Sequence, residues 1–134
     1  MVIDSSALMS ILLGEGDANR FIAAINTGAP LLIAAPTWFE AAMVVSGRKG
    51  AAGFQEFEQL IAASGIEIIE FDQALAREAY LAWQRFGKGR HPAGLNMGDC
   101  FSYALAKHRK DVLLFKGDDF PKTDLVAAIS LDDA

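Results

Sequence analysis

A chain of 134 residues, of which 52% are hydrophobic and 22% charged, is long enough to fold as one domain and too apolar to be disordered. Its net charge of −5 argues against a protein that coats nucleic acid with a broad basic face, but not against an enzyme whose carboxylates hold divalent cations. The one cysteine, Cys100, excludes an internal disulfide, and the chain has no Cys/His cluster for zinc.

The sequence contains no internal repeat, low-complexity tract or linker, and we expect residues 1–134 to form a single domain. It opens without the basic stretch and apolar run of a signal peptide. The apolar stretch at residues 27–39 is interrupted by Pro30 and Pro36 and is too short to span a bilayer. We therefore expect a cytoplasmic protein that does not bind a membrane.

Short apolar runs alternate with amphipathic segments, a pattern typical of an α/β layer fold. Val2 and Ile3 predict a first strand that ends at Asp4, and helical spacing follows as far as Gly14. Later in the first half we expect a helix capped by Asp17, a strand at residues 31–34, a helix from Thr37 to Gly50 bearing Phe39, Met43 and Val44, and a helix bearing Phe54, Phe57, Leu60 and Ile61.

The second half repeats this alternation around one clear loop at residues 87–95, which contains three glycines and a proline. We expect a strand at residues 66–69, a helix capped by Asp72 that buries Leu75, Ala79, Tyr80, Trp83 and Phe86, a helix capped by Asn96, a strand at residues 112–115, and a candidate fifth strand at residues 126–129.

The predicted architecture is a three-layer α/β/α domain with a central, mainly parallel sheet of four or five strands. Trp38, Trp83 and the phenylalanines fall on helical stripes, and we expect them in the core rather than on a base-stacking surface. Cys100 is expected to be a small buried hydrophobe.

Carboxylates occur where predicted strands end, or in the first turn of a helix next to one. Asp4 ends the first strand, Glu40 follows the second, and Asp118 and Asp119 follow the fourth. Asp99 lies in the first turn of the helix that leads into the fourth strand. Ligands bind at this edge of an open α/β sheet, so we expect these side chains to converge there.

Each carboxylate also has a purely structural interpretation. Thr37 with Glu40, and Asn96 with Asp99, have the spacing of capping boxes. Asp4 and Asp118 suit a helix N-terminus or a turn. Capping or a turn is enough to explain any one of these carboxylates. Several carboxylates at one place repel each other, however, and are usually held there by a divalent cation.

Oxygen ligands of this kind select Mg²⁺ or Mn²⁺ over zinc, and phosphodiester hydrolysis is the chemistry that uses them. Such ions lower the pKa of water and neutralise charge on the scissile phosphate. No histidine or cysteine nucleophile is then needed, which agrees with a chain of two histidines and one cysteine.

The motifs resemble those of PIN-domain ribonucleases, and in particular the VapC-type toxins of type II VapBC toxin–antitoxin systems. Residues 2–8 are similar to the start of PIN domains, where an Asp ends the first strand and a small hydroxyl residue follows two places on. Glu40 stands where the family has its glutamate, and residues 87–100 resemble the segment that leads to the third acidic residue. Residues 114–124 resemble the C-terminal motif, so the resemblance covers nearly the whole chain.

The resemblance implies four catalytic, metal-ligating residues, which are Asp4, Glu40, Asp99 and Asp118, with Asp119 in reserve for the last. Asp4 and Asp99 become the main ligands of Mg²⁺ or Mn²⁺, and Glu40 a ligand or a base that orients water. Ser6 becomes the hydroxyl that orients Asp4, although an ordinary helix-start serine is the alternative.

Basic residues cluster in the last third of the chain. The loop before the helix that carries Asp99 contains Lys88, Arg90 and His91. These side chains either contact RNA phosphates or are merely solvated. Residues 107–110 are expected to interact with the negative end of their helix instead.

The resemblance further implies an endoribonuclease toxin with an RNA substrate and a VapB-like antitoxin. It also implies a homodimer, for which the helix near Phe54 and Phe57 is a candidate interface. Two alternatives remain open: a non-catalytic PIN-like binding module, and another metal-dependent phosphohydrolase, which would usually have an aspartate where Ser6 stands. Transfer, ribosomal and messenger RNA are all candidate substrates, because RNA is recognised by shape and by single-stranded loops.

Overall fold

The computed structural model of the protein describes residues 1–130, so the last four residues of the predicted domain lie outside the described part. Strands and helices alternate as the sequence predicts. In chain order they are β1 (Val2–Ile3), α1 (Ser5–Leu12), α2 (Ala18–Ile25), β2 (Leu32–Ala34), α3 (Ala35–Ser64), β3 (Glu67–Ile69), α4 (Gln73–Phe86), α5 (Met97–Arg109), β4 (Leu113–Leu114) and a 3₁₀ turn at Phe120–Lys122.

The four strands form one sheet in the order β3-β2-β1-β4, and every pair of neighbouring strands is parallel. Val2 pairs with Leu32 on one side and with Leu113 on the other. The candidate fifth strand is reduced to a single bridge between Ala127 and Leu113. The predicted three-layer α/β/α fold with a parallel sheet is thus confirmed, with four strands in residues 1–130.

Alternate residues of β1 face two separate cores, as the two-residue period of a strand requires. Val2 packs into the core under α4 and α5, together with Leu75, Leu105 and Leu113. Ile3 packs into the core under α1, α2 and α3, where Phe57 is among the residues with no exposed surface. Helices therefore cover both faces of the sheet, and β1 lies inside it with a strand on either side.

Helix α3 begins earlier than expected. Ala34 occupies its N-cap position and Pro36 lies in its first turn, so Thr37 does not start the helix and does not form a capping box with Glu40. The break expected at Gly50 is present as a kink, because Gly50 has φ 65° and ψ −156° inside an otherwise continuous helix. A positive φ of this kind favours glycine.

Side-chain caps were predicted well at two helices and wrongly at a third. Asp72 accepts a hydrogen bond from the N–H of Leu75, and Asn96 caps α5 in a capping box with Asp99. Asp17 stands at the N-cap of α2 but makes no capping hydrogen bond, because its carboxylate accepts one from the Ser10 hydroxyl instead.

The predicted inner faces of α3 and α4 are partly wrong. Phe39 and Met43 are 62% and 58% exposed, and Tyr80 and Trp83 are 57% and 41% exposed. Leu75, Ala79 and Phe86 are buried as predicted. Alanines that were not predicted complete the inner faces, Ala41 and Ala42 on α3 and Ala82 on α4, because small residues let a helix pack closely against its neighbours. Both sides of these helices carry apolar residues, so the apolar spacing alone does not distinguish them.

One of the two phenylalanines near the expected interface, Phe57, belongs to the core. Phe57 is fully buried and its ring packs against Trp38 and Phe54, with ring centroids 5.5 and 6.2 Å away. A side chain used in this way by the core is not available to a second copy of the chain. Trp38 lies partly buried against this core, as expected. None of the helices within residues 1–130 has the length and hydropathy needed to cross a membrane.

Two phenylalanines of α3 provide a matched test of this packing. We expect Phe57→Ala to lower the free energy of unfolding by about 3–5 kcal/mol, because it leaves a cavity in the core. Phe39→Ala removes the same atoms from an exposed position and should change the stability of the monomer, measured at a protein concentration too low for dimers, by no more than about 0.5 kcal/mol. Urea denaturation followed by circular dichroism measures both values, and equal losses in the two variants would contradict the assigned faces.

Candidate active site

The Asp4 carboxylate lies at the carboxyl end of β1 and is only 3% exposed. Its Oδ2 accepts hydrogen bonds from the backbone N–H of Ser6 at 3.1 Å and from the Ser6 hydroxyl at 2.6 Å. Its Oδ1 accepts a hydrogen bond from the buried hydroxyl of Ser102 on α5. Both oxygens of this carboxylate are therefore fixed in direction by hydroxyl donors.

Ser6 connects Asp4 to the segment that follows β4. While its hydroxyl donates to Asp4, its Oγ accepts a hydrogen bond from the backbone N–H of Lys116 at 2.9 Å. The position of Ser6 is thus set by two elements, α1 and the turn after β4. Ser6 is the residue whose hydroxyl was expected to orient Asp4.

The Glu40 carboxylate lies against the first turn of α5. Its Oε1 accepts a hydrogen bond from the Ser5 hydroxyl at 2.8 Å. A Cβ atom added at Gly98 would be 2.3 Å from Glu40 Oε2, far inside van der Waals contact. A side chain at position 98 would therefore displace this carboxylate from its place.

The Asp99 carboxylate closes the same turn of α5. Its Oδ2 accepts a hydrogen bond from the backbone N–H of Asn96 at 3.0 Å, and its own N–H donates to Asn96 Oδ1 at 2.9 Å. Asp99 therefore takes part in a capping box with Asn96, as its spacing predicts. This does not exclude a second role, because only one of the two carboxylate oxygens takes part in the cap.

Burial raises the pKa of Asp99 from 3.8 to about 6, because the charged form is poorly solvated there. The hydrogen bond from Asn96 opposes this rise. Three nearby negative charges, those of Asp4, Asp119 and Glu40, raise the pKa further. The structure thus brings four carboxylates from separate parts of the chain within electrostatic reach of each other.

The adjacent residues Asp118 and Asp119 are placed differently. Asp119 is among the negative charges that raise the pKa of Asp99. Asp118 instead lines a separate cleft of about 220 Å³ beside Asp17, Arg20 and Lys116. Both side chains are exposed. The geometry therefore associates Asp119, the reserve residue, with the other three carboxylates.

Asp124, in the segment that resembles a family motif, is used structurally. Its Oδ1 accepts a hydrogen bond from the Tyr103 hydroxyl at 2.5 Å, and its Oδ2 accepts one from Lys107 Nζ at 2.6 Å. Arg85 lies 3.3 Å from the same oxygen. These contacts fasten the C-terminal segment to α4 and α5. Lys107, expected only to interact with the end of its helix, is one of the residues that do so.

We call the side chains of Asp4, Glu40, Asp99 and Asp119 the carboxylate cluster. Their oxygen atoms are suitable ligands for a hard divalent cation. In residues 1–130, no three His, Cys, Asp or Glu side chains stand together in a way that would enclose one ion. Mg²⁺ does not require such an enclosure, because it retains several waters and is commonly bound by one or two carboxylates. A cation among these groups would also offset the repulsion that raises the pKa of Asp99.

The loop residues predicted to contact RNA lie next to the start of α5. Lys88 is exposed, and its backbone N–H donates to Leu95 O at 3.0 Å. The Arg90 guanidinium stacks over the ring of Trp83, 4.7 Å from its centroid. His91 Nδ1 accepts a hydrogen bond from the N–H of Ala93 at 3.0 Å. Arg90 and His91 thus help to shape the loop itself.

Three residues of the site were missed from the sequence: Ser5, Gly98 and Ser102. Ser102 had a detectable signal, since a hydroxyl among the apolar residues of an inward helix face needs a buried partner. That partner is Asp4. Gly98 gave no comparable signal, because its importance arises only from the approach of Glu40, which is 58 positions away in the chain.

Comparison with known proteins identifies relatives over nearly the whole chain. The family model that describes the PIN domain matches residues 1–126. Ribonuclease VapC30 of Mycobacterium tuberculosis is 42% identical over 131 residues, which cover 98% of this chain and 99% of that protein. Ribonuclease VapC of Mycolicibacterium smegmatis is 42% identical over 127 residues, covering 95% and 98%.

Two solved structures share the fold at low sequence identity. The crystal structure of VapC20 of Mycobacterium tuberculosis, described as a toxin that cleaves the sarcin–ricin loop, has a TM-score of 0.76 at 14% identity and covers 93% of this chain and 95% of its own. A chain of a toxin–antitoxin complex from Klebsiella pneumoniae has a TM-score of 0.70 at 22% identity, with coverage of 97% and 98%. At these identities the likeness supports the fold alone.

The raised pKa of Asp99 predicts a dependence of stability on pH. The folded chain holds this proton up to about pH 6, whereas the unfolded chain releases it near its ordinary value of 3.8. Between these values the folded state binds more protons, so stability falls as pH rises through the window, and the loss is complete above it. We expect Asp99→Asn to remove this contribution, because the amide can still cap α5 but carries no charge.

Thermal unfolding in EDTA at a series of pH values tests this expectation. The melting temperature of Asp99→Asn minus that of the unaltered chain should be near its smallest value at pH 4 and should increase towards pH 7. A difference that is constant over this range would show that neither burial nor the neighbouring charges raise the pKa of Asp99.

Proposed function

Since the chain belongs to the PIN-domain family and its relatives include VapC ribonucleases, we propose that it is a Mg²⁺- or Mn²⁺-dependent endoribonuclease and the toxin of a VapBC pair. The observation that carries this proposal is the convergence of carboxylates at the carboxyl edge of the parallel sheet. Asp4 is hydrogen-bonded to Ser102 of α5, Glu40 lies against Gly98 in the same turn as Asp99, and the charge of Asp119 acts on Asp99. Capping alone explains the position of Asp99, but it does not explain why three other carboxylates approach it.

The bound cation would supply positive charge that lowers the pKa of water and neutralises charge on the scissile phosphate. Asp4 and Asp99 are the residues that would hold it, with Asp119 beside them. Ser6 and Ser102 direct the two oxygens of Asp4, so little side-chain order has to be created when the cation arrives.

Glu40 suits the role of a base that orients the attacking water. Ser5 occupies one of its oxygens, and the other faces the first turn of α5 at Gly98. The Asp99 carboxylate belongs to this same turn, so a water held by Glu40 would be adjacent to the other carboxylates. The alternative of a phosphatase is weaker, because Ser6 stands where such an enzyme would usually have a second aspartate.

We propose Asp119 rather than Asp118 as the fourth acidic residue of the site. Its charge acts on Asp99, whereas Asp118 lies with Asp17 and Arg20 in a separate cleft. This assignment reverses the order of preference that the sequence suggested.

We also propose a VapB-like antitoxin as partner, action in the cytoplasm, and a homodimer. The antitoxin is supported by the VapC relatives and by the fold shared with a chain of a toxin–antitoxin complex. For the homodimer, the exposed side chains of Phe39 and Met43 on α3 offer an apolar surface, in place of the buried Phe57. Single-stranded segments of RNA are the proposed substrate class.

Removal of one carboxylate or of the cation tests the nuclease proposal. We expect Asp4→Asn to reduce cleavage of purified total RNA by about 100-fold or more, which exceeds the 10- to 100-fold effects typical of residues that only orient ligands. EDTA should abolish cleavage by the unaltered protein, and excess Mg²⁺ or Mn²⁺ should restore it. Gel electrophoresis of the treated RNA measures both effects.

The control is Asp111→Asn, at the opposite edge of the sheet, where Asp111 pairs with the N-terminal amine at 2.7 Å. This variant should cleave RNA at the unaltered rate. Undiminished cleavage by Asp4→Asn would contradict the proposal and indicate a contaminating nuclease. Hydrolysis of a phosphomonoester without any cleavage of RNA would favour the phosphatase alternative.

The adjacent aspartates provide a second matched pair. We expect Asp119→Asn to reduce RNA cleavage by at least about 10-fold, because it removes a charge that belongs to the carboxylate cluster. Asp118→Asn should reduce it by less than about 3-fold. Both side chains are exposed, so neither variant is expected to unfold. A larger loss in Asp118→Asn than in Asp119→Asn would reverse the assignment.

A further inference from the structure

A groove of about 470 Å³ lies between α4 and α5, next to the carboxylate cluster. Residues that line it include Tyr80, Trp83, Lys88, Asn96, Met97 and Phe101. We call it the α4–α5 groove. Its volume is within the range of sites that take small organic groups.

The rings of this groove were expected in the core but face solvent. Tyr80 is 57% exposed and Trp83 41% exposed, and their ring centroids lie 5.9 Å apart. Met97 is 75% exposed at the groove's other side. Exposed apolar side chains grouped in a groove and bordered by polar residues are a feature of ligand-binding sites.

The Trp83 ring is held in place before any occupant binds. A Cβ atom added at Gly87 would be 2.6 Å from Trp83 Cδ1, so the indole packs directly against the glycine backbone. The Arg90 guanidinium lies over the same ring, 4.7 Å from its centroid. A ring fixed in this way loses little conformational entropy when a flat group stacks on or beside it.

One cation lines this groove and a second lies on its Trp83 ring, although the chain as a whole is acidic. Lys88 is an exposed lining residue, and Arg90 lies beside it on Trp83. Aromatic rings with neighbouring cations are the usual composition of surfaces that bind single-stranded nucleic acid. A symmetric contact between two copies of the groove would bring the cations of both copies together, where they would repel each other.

The groove is continuous with the proposed catalytic site. Asn96 and Met97 form part of its wall. Asn96 also exchanges two hydrogen bonds with Asp99, at 2.9 and 3.0 Å. A nucleotide whose phosphate lies at the carboxylates would therefore place a neighbouring base within reach of Tyr80 and Trp83.

We propose that the α4–α5 groove binds an unpaired nucleobase of the RNA substrate, next to the scissile phosphate, by stacking it against Trp83 and Tyr80, while Lys88 contacts a phosphate. This proposal rests on the proposed ribonuclease function and adds a base-binding subsite to it. The subsite selects single-stranded RNA, because a base inside a duplex is not available for stacking on a protein ring.

The test compares two ligands of equal charge. One is a short single-stranded RNA of mixed sequence, and the other is a ribose-phosphate chain of the same length without bases. Both carry a fluorescent label, and their affinities are measured by anisotropy in EDTA, so that cleavage does not interfere. We expect the unaltered protein to bind the RNA about 5- to 150-fold more tightly than the baseless chain. This range corresponds to the contribution of one base stacked on an aromatic side chain.

Variants assign this difference to the groove. Trp83→Leu and Tyr80→Leu should lower the affinity for RNA towards that for the baseless chain and leave the latter unchanged. Lys88→Ala should weaken both ligands alike, because it removes a phosphate contact. Leu81→Ala, on the same helix and 56% exposed but outside the groove, should change neither. Trp83→Phe retains a ring and should restore most of the difference.

Trp83 also serves as a local reporter. The chain has two tryptophans, so Trp38→Phe leaves Trp83 as the sole source of indole emission. RNA should quench this emission, and the baseless chain should not. Quenching by both ligands would overturn the proposal, because it would show that phosphate rather than base occupies the groove.

Two further results would overturn the base-binding subsite. The first is equal affinity of the unaltered protein for RNA and for the baseless chain. The second is a change from dimer to monomer in Trp83→Leu during sedimentation, which would assign the groove to a second copy. If base-dependent binding is present but Mg²⁺ and Mn²⁺ produce no cleavage, the subsite is supported and the nuclease function fails.

Discussion

The Asp4 carboxylate, 3% exposed at the end of an interior strand, would be costly to bury without hydrogen-bond donors. Its donors come from separate parts of the chain: Ser6 on α1 and Ser102 on α5. Ser6 is in turn held by the N–H of Lys116, after β4. One carboxylate therefore fixes the relative positions of two helices and a turn, and those same elements carry or adjoin the other acidic residues.

The remaining carboxylates follow from this arrangement. Once Ser102 ties α5 to Asp4, the first turn of α5 stands at the carboxyl edge of the sheet, where Asp99 caps it. Glu40 approaches the same turn because Gly98 has no side chain in the way. Burial of the Asp99 carboxyl, together with the negative charges crowded around it, raises its pKa and is unfavourable without a cation. The site is thus assembled at a cost in stability that a bound cation would offset.

The strands, most caps and the edge at which Asp4, Glu40 and Asp99 meet were predictable, because they depend on local periodicity and on the topology of parallel sheets. The choice between Asp118 and Asp119 was not, because the turn after β4 has no repeating geometry that fixes side-chain direction. The roles of Gly98 and Ser102 were hidden for another reason. Each depends on a contact with a residue far away in the chain, which no local pattern encodes.

The misplacement of Tyr80 and Trp83 has a physical cause that also bears on function. Helix α4 carries apolar residues on two faces, and a rule that buries the larger ones places both rings in the core. The structure buries Ala82 together with the predicted Ala79 and leaves both rings outside, since small side chains allow α4 to pack closely against α5. This close packing turns the rings outward beside the first turn of α5. The alanines that stabilise the contact between the two helices therefore also place an aromatic surface next to Asp99, where a substrate with flat, unpaired bases would meet it.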